Sequence, residues 1–481
     1  MDIVVLLIMM AMIAHDPLGG AAKPFLTGPA MLAAALGPFL VIGMVDWMAC
    51  RIALARLRSG GPQNTKPLPR LEKVLSATRY ATVAVFLFDL FVLGWLTWLR
   101  QQIGDVILGD ELLAAAPALA AIVFGWSCNY PIDRYLNEEP RSDQPPSEHW
   151  PIGTRGPYLV SHFRHQMLLA LAPMAIVLAW GEAVDRWVAF DESRKGYETP
   201  LVFGGFAVVL ALTPLMIRYF WDTAPLPDDA VRKLLLEMCR QYGVRVRRLL
   251  LWRTQGGMTN GAVIGVVPQL RFILLTDGLM ARMTPPEIEA VMAHELGHIR
   301  KRHLTWLIVC SMAVIYGMDT ALREAARAVF HLSGWHPRAL GARWEAAAGM
   351  AIVAPVVPLG LLVIAWISRR FERQADTFAV RHLTQHHPDE GVGAGRIGAT
   401  AVQVYCNTLN RVSALNHCAP TRKSWRHGSI EWRCRYLEAL VGTAVDRCPI
   451  DRLVLRICLA SAALLVALIG HELWARGLGG L

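Results

Sequence analysis

Eight apolar stretches dominate the chain: Ala30–Cys50, Ala81–Leu99, Leu112–Tyr130, Met167–Trp180, Leu201–Ile217, Leu304–Met318, Gly349–Ile367 and Leu453–Ile469. Several approach the roughly 20 residues that a helix needs to cross a bilayer, and the shorter ones can borrow flanking residues. Backbone in hydrocarbon must satisfy its own hydrogen bonds, so these stretches read as helices. A further stretch, Ile3–Ala14, is shorter, and Asp2 stands where a signal peptide would carry a basic residue. It reads as a short first span rather than a cleaved leader. Eight spans are expected, nine if this one is counted. Composition agrees: 54% of the 481 residues are hydrophobic and 18% charged, against about 25% charged in an average soluble domain. That excludes a simple soluble enzyme, and the hydrophobic content excludes a disordered chain.

The net charge of +10 reads as basic loops kept on the cytoplasmic side. No basic run is interleaved with aromatics as a nucleic-acid module would be, so no nucleic-acid partner is expected. Arg51–Arg79 holds seven basic residues and one acid, Asp222–Arg302 twelve Lys and Arg, and Arg369–Arg452 thirteen. Arg100–Glu111 and Glu182–Glu198 have more acids than bases. These loops alternate in sign when the basic ones are cytoplasmic. Asn129–His165, with four basic residues and five acids, and Asp319–Ala347, with four Arg, fit that alternation poorly. The segments Tyr135–Pro157 and Gly60–Pro69 read as loops. Asp46 and Asp89 fall inside apolar stretches, where an acid is either functional or paired within the bundle. The nine Cys form no CxxC pair, so neither a disulfide framework nor a Cys-type zinc site is suggested.

The chemistry concentrates in Pro285–Arg302. Thr284 is a plausible N-cap and Pro285 suits the first helical position. Ile288, Val291, Met292, Leu296 and Ile299 recur at helical spacing. His294-Glu295-Leu296-Gly297-His298 then lies on a helix, with both imidazoles on one face, one turn apart. That is the HExxH arrangement: two histidines for one zinc ion and a glutamate placed as base toward water at the metal. Such a site needs a third protein ligand. Past the stretch ending at Ile367 the chain reads Ser368-Arg369-Arg370-Phe371-Glu372-Arg373-Gln374-Ala375-Asp376. On a helix Glu372 and Asp376 share a face. Glu372 is the expected third ligand. Asp376 is expected to accept a hydrogen bond from a ligand imidazole and fix its tautomer. His303 reads as an interfacial helix residue rather than a ligand.

The combination resembles the membrane metallopeptidases grouped as type I CaaX-prenyl proteases and HtpX proteases, whose HExxH is followed, after transmembrane sequence, by Ser-Arg-x-x-Glu-x-x-Ala-Asp. Ser368, Arg369, Glu372, Ala375 and Asp376 occupy those places. The resemblance also covers Asn260-Gly261-Ala262 with Gly265, and the run from Ile273 to Leu279. It implies a β-hairpin whose edge strand holds the substrate backbone, with Asn260, Ala262 and Gly265 as substrate-binding residues. Alternation in this run would put Leu270, Phe272, Leu274 and Thr276 on one face. Strand addition at an exposed edge is a common mode of peptide recognition. Arg426-His427-Gly428 followed by Arg433 resembles the prenyl proteases' His-Pro-x-x-x-x-Arg element. By that resemblance His427 stabilises the oxyanion and Arg433 helps it. Gly428 stands where Pro is usual.

The expected architecture is mainly α: a polytopic helical membrane protein with a cytoplasmic, zincin-like α+β metallopeptidase domain split by two spans. Residues 1–218 form the N-terminal multi-span domain, 219–303 and 368–452 the two peptidase segments, 304–367 the intervening spans and 453–481 a C-terminal span. The expected activity is zinc-dependent endopeptidase action on a membrane-associated polypeptide, with one zinc per chain and the lipid bilayer as surroundings. A signalling metalloprotease cleaving a cytoplasmic regulator, or a non-catalytic scaffold, are the alternatives. Oligomeric state is not legible.

Overall fold

The computed structural model describes residues 3–15, 24–60, 66–138, 154–191, 194–254, 258–333, 342–386, 395–416, 418–422 and 424–478. Of the expected loops at 135–157 and 60–69, residues 139–153 and 61–65 lie outside them, while 135–138, 155–157, 60 and 68–69 are helical. The protein is mainly helical. Six described helices are long and apolar enough to cross a membrane: Gly28–Gly60, Leu68–Leu93, Gly109–Leu136, Arg155–Ala189, His303–Leu322 and Pro449–His471. The helix over the 201–217 stretch is shorter by that measure, at Gly204–Phe220. The 349–367 stretch lies within one 45-residue helix, Ala342–His386. Side chains of residues 342–358 are outside the described set.

Two compact units emerge, Met1–Trp221 with His336–Met350 and Asp222–Trp335 with Ala351–Leu481. The first is built from α1 (Ile3–His15), α2 (Gly28–Gly60), α3 (Leu68–Phe88), α4 (Trp95–Ile103), α5 (Gly109–Glu138), α6 (Arg155–His162), α7 (Leu169–Ala189) and α8 (Lys195–Phe220). Here α2 packs on α3 and α5, and α7 on α8. Asp46, buried on α2, accepts a 2.6 Å hydrogen bond from the Thr78 hydroxyl of α3, the pairing a buried acid needs. Arg100 binds Asp110 and Glu111, each at 2.6 Å.

The second unit holds the sheet: β1 (Thr223–Pro225), β2 (Arg248–Trp252), β3 (Gly261–Ile264) and β4 (Phe272–Thr276), in the order β1-β2-β4-β3. β2 and β4 are parallel, while β3 runs antiparallel to β4. β3 is therefore an edge strand. Every residue of β4 is buried, because helices cover the strand and leave it no solvent face. Leu270 does not share the strand face expected of it. It ends a one-turn helix, Pro268–Leu270, because Pro268 offers no amide to a ladder.

The helices that follow or flank the strands in sequence are α9 (Ala230–Gln241), α10 (Asp277–Arg282), α11 (Pro285–Arg300), α12 (His303–Ser333), α13 (Ala342–His386), α14 (Ala399–Leu415), α15 (Ile430–Glu438) and α16 (Pro449–Leu478). α11 begins as its sequence dictates: Pro285 is at the first position, and the Thr284 amide donates to the Glu287 carboxylate at 2.8 Å. That closes half of a capping box and satisfies a donor the helix cannot. α11 packs on α9, β3 and α14, and α12 packs along α16. A Cβ added at Gly297 of α11 would stand 3.1 Å from Ala375 Cα and Phe378 Cβ of α13. Gly297→Val therefore forces these two helices apart. Overpacking of this kind costs roughly 1–3 kcal/mol, and we expect a matching loss in denaturant unfolding of the detergent-solubilised protein, with weaker metal retention.

Candidate metal centre

HExxH lies on α11 and Glu372 and Asp376 lie on α13, each pair at one-turn spacing. The close approach of the two helices brings the sequence-separated groups together. His294 Nε2 is 3.1 Å from His298 Nε2 and 3.6 Å from Glu372 Oε2, and His298 Nε2 is 3.7 Å from Glu372 Oε1. The three ligand atoms lie within 4.8 Å of one another, a group that could hold a metal ion. Glu372 Oε2 is buried yet makes no hydrogen bond. A buried carboxylate oxygen so placed is costly unless something electropositive takes it up. Two imidazoles and one carboxylate form the usual donor set for catalytic zinc.

Asp376 sits behind these ligands, fully buried. Its Oδ1 is 3.0 Å from His294 Nδ1 and accepts from the Tyr405 hydroxyl at 2.7 Å. Its Oδ2 accepts from Arg433 Nε at 2.8 Å, and a second guanidinium nitrogen binds Oδ1. Burial alone would raise this carboxyl's pKa, but the Arg433 charge and hydrogen bonds hold it well below the usual range. Asp376 thus stays anionic and fixes His294 with its proton on Nδ1 and Nε2 toward the ligand cluster. Burial alone would lower the His294 pKa. Hydrogen bonds and charge from Asp376 and Glu372 raise it instead, to about 9. Burial pushes Glu295 up from the ordinary glutamate value.

The other expected residues fall around the same space. A cavity of 1310 Å³ is lined by His294, Glu295, His298, Glu372, His427, Arg433 and, from the edge strand and its flanks, Asn260, Ala262 and Gly265. The Asn260 amide donates to the Thr276 hydroxyl at 2.9 Å, which anchors the entry to β3. Gly265 follows β3 with φ +98°, and a Cβ there would strike the Leu270 carbonyl at 2.2 Å. Arg433 is seated on Asp376 and lies 3.8 Å from Glu372. His427, half exposed, places Nδ1 2.9 Å from Glu372 Oε1. Its loop is pinched by two backbone hydrogen bonds between Ser424 and Gly428, at 3.2 and 3.0 Å. Gly428 has φ +75°. Proline, fixed near −65°, could not adopt that conformation.

Two residues, Tyr405 and Asn416, escaped the sequence reading, and a third, His303, stands elsewhere than expected. Tyr405 on α14 bridges Asp376 and His294, its hydroxyl 3.0 Å from His294 Nδ1, and nothing local marks it. His303 is buried, not interfacial. Its Nδ1 is 2.8 Å from His298 Nδ1, and its Nε2 is 2.9 Å from Gln374 Oε1. It orients the second histidine much as Asp376 orients the first. Its spacing five residues past His298 was the available signal. Asn416 pairs its side-chain amide with both backbone groups of Thr259, each at 2.8 Å, and so holds the segment leading into β3.

Residues 226–406 match Peptidase family M48. The chain is 26% identical over 184 residues to the CAAX prenyl protease 1 homolog of Arabidopsis thaliana, covering 36% of this chain and 42% of that protein. It is 21% identical over 217 residues to the Protease HtpX homolog of Verminephrobacter eiseniae, covering 40% and 68%. Protease HtpX of Chromohalobacter salexigens is 30% identical over 162 residues, covering 31% and 51%. The crystal structure of S. mikatae Ste24p shares the fold with a TM-score of 0.52 over 86% of this chain and all of that one, at 15% identity. The match thus spans less than half of the plant relative's length, while the fold likeness extends well beyond the M48 segment. The resemblance to membrane metallopeptidases holds, and the apolar helices with these relatives support a multi-pass membrane protein.

If Asp376 and Tyr405 act together on His294, Tyr405→Phe should weaken zinc binding. Partners behind a ligand typically contribute roughly 10–100-fold in metal affinity, and one lost hydroxyl should fall near 10-fold. Chelator competition on the purified protein reads this directly, and an unchanged affinity would show the phenol to be only a packing group.

Proposed function

We propose that the chain is a membrane-bound zinc endopeptidase that hydrolyses peptide bonds in membrane or membrane-proximal polypeptides, with its catalytic domain on the cytoplasmic side. The observation that carries this reading is the convergence of a two-histidine, one-carboxylate cluster, the half-buried Glu295 and the edge strand β3 on one cavity. The basic segments on either side of α12 and α13 support the orientation. The donors His294, His298 and Glu372 fit zinc, which when bound would polarise a carbonyl and bring the pKa of water near neutrality.

The remaining steps belong to the chain's own side chains. The substrate lies extended along β3, where the strand's outward amides and carbonyls hold its backbone in register. Glu295 takes a proton from the attacking water and returns it to the leaving amine. Burial has raised its pKa, which suits a group that must both accept and release a proton near neutral pH. His427, on the cavity wall, donates to the oxygen on which negative charge develops. Arg433 keeps Asp376 ionised and in place, so that His294 holds one tautomer throughout.

Glu295→Gln tests this. The variant should keep the wild-type zinc content and lose hydrolysis of an unfolded polypeptide by about 10²–10⁴-fold, the usual contribution of a positioned acid–base group. Cleavage at the wild-type rate would remove Glu295 from the mechanism. A wild type that folds but takes up no zinc at the His294 cluster would remove the peptidase reading itself.

A further inference from the structure

A second group of metal-type donors stands outside this cavity. Glu289 lies on α11, more than a turn ahead of His294. His382 and His386 lie on α13, beyond Asp376 and one turn apart, the same spacing as in HExxH. One ligand atom from each of the three falls within 4.8 Å of the others. His382 is buried, and its Nε2 is 2.9 Å from Glu289 Oε1. The imidazole rings of His382 and His386 are 4.4 Å apart.

The surroundings are those of a ligand set rather than a simple ion pair. His382 Nδ1 is 2.8 Å from the Tyr242 hydroxyl. A phenol accepts as readily as it donates, so His382 can keep its proton on Nδ1 and present the Nε2 lone pair. His386 Nδ1 donates to the His382 carbonyl at 3.0 Å, which leaves Nε2 as its unprotonated nitrogen. His382 thus has its far nitrogen engaged, the arrangement that orients metal-bound imidazoles, and His386 has one nitrogen held by the backbone. His386 is exposed, so an ion has a route in.

The geometry points to a second cation site, formed by Glu289, His382 and His386, that takes a borderline-soft divalent ion of the zinc type. Two imidazole nitrogens and one carboxylate oxygen suit that class better than calcium or magnesium, which prefer all-oxygen sites. The ion would clamp α11 to α13, the two helices that also carry His294, His298 and Glu372. The inference stands on this cluster alone and does not depend on peptidase activity.

Zinc per chain, measured by mass spectrometry on the full protein in detergent after equilibration with low-micromolar free zinc, tests it. The wild type should hold two ions. His386→Ala, at an exposed position, and Glu289→Gln, which preserves side-chain size, should each hold one. His298→Ala should also hold one, which assigns the remaining ion to the outer site. A wild type whose zinc content is unchanged by both His386→Ala and Glu289→Gln would overturn the inference. Loss of the His294-cluster ion alone would count against the catalytic assignment and leave this one standing.

Discussion

Asp376 accepts from Arg433 and Tyr405 and lies against His294, while being wholly buried. An isolated carboxylate in that position would be expensive, and the paired guanidinium with its added hydrogen bonds offsets the cost. The four residues come from α13, α15, α14 and α11. One carboxylate therefore ties together residues as far apart in the chain as His294 and Arg433, and it does so immediately behind the metal ligands. Arginine is required here for a geometric reason. Its two nitrogens reach both oxygens of Asp376, where a lysine ammonium would engage as a single point. Remove the carboxylate and the guanidinium is left buried and unpaired, so the pair is conserved in energy terms only as a unit.

The rest of the peptidase unit follows from that tie. The HExxH helix and the Glu372 helix are separated in sequence by apolar stretches, yet Gly297 allows their backbones to close on one another. β4 is buried on every side and fixes β3 at the sheet's edge. Asn416 of the segment after α14 holds the strand's entry through Thr259. The same helices that complete the metal cluster thus also hold the edge strand near it. Ligand geometry and substrate position are set by one packing arrangement.

What was legible in the sequence depended on spacing. HExxH, and the Glu372–Asp376 pair, place their groups on one helix face by local geometry alone, and the structure brings the two faces together. The N-terminus of α11 was legible for the same reason, since Thr284 and Pro285 act within one turn. Tyr405 and Asn416 were not, because each works only through tertiary approach, and the sequence around each is ordinary in composition. His303 was misread. It reads from sequence as an interfacial helix residue five positions past His298, but Arg302 takes φ +53°, and His303 lies buried against His298. Leu270 was misplaced because Pro268 ends the pairing before strand alternation can begin. The apolar stretches were visible at once. Their number is harder to read, because long helices such as α13 run on past the apolar segment into the catalytic residues.

Charge accounting explains why such a site tolerates so much buried acid. Glu295, Glu372 and Asp376 contribute three negative charges when ionised, and Arg433 returns one. The balance of two suits a divalent cation held by neutral histidines. Without the ion, the same field must find its compensation in protons. Glu372 and Asp376 raise the His294 pKa to about 9, and burial keeps Glu295 above the ordinary carboxylate value. Metal uptake and proton release are then two descriptions of one electrostatic constraint. The carboxylate that orients His294 also creates the negative field that draws the cation in, and Arg433 limits that field to what a divalent ion can neutralise.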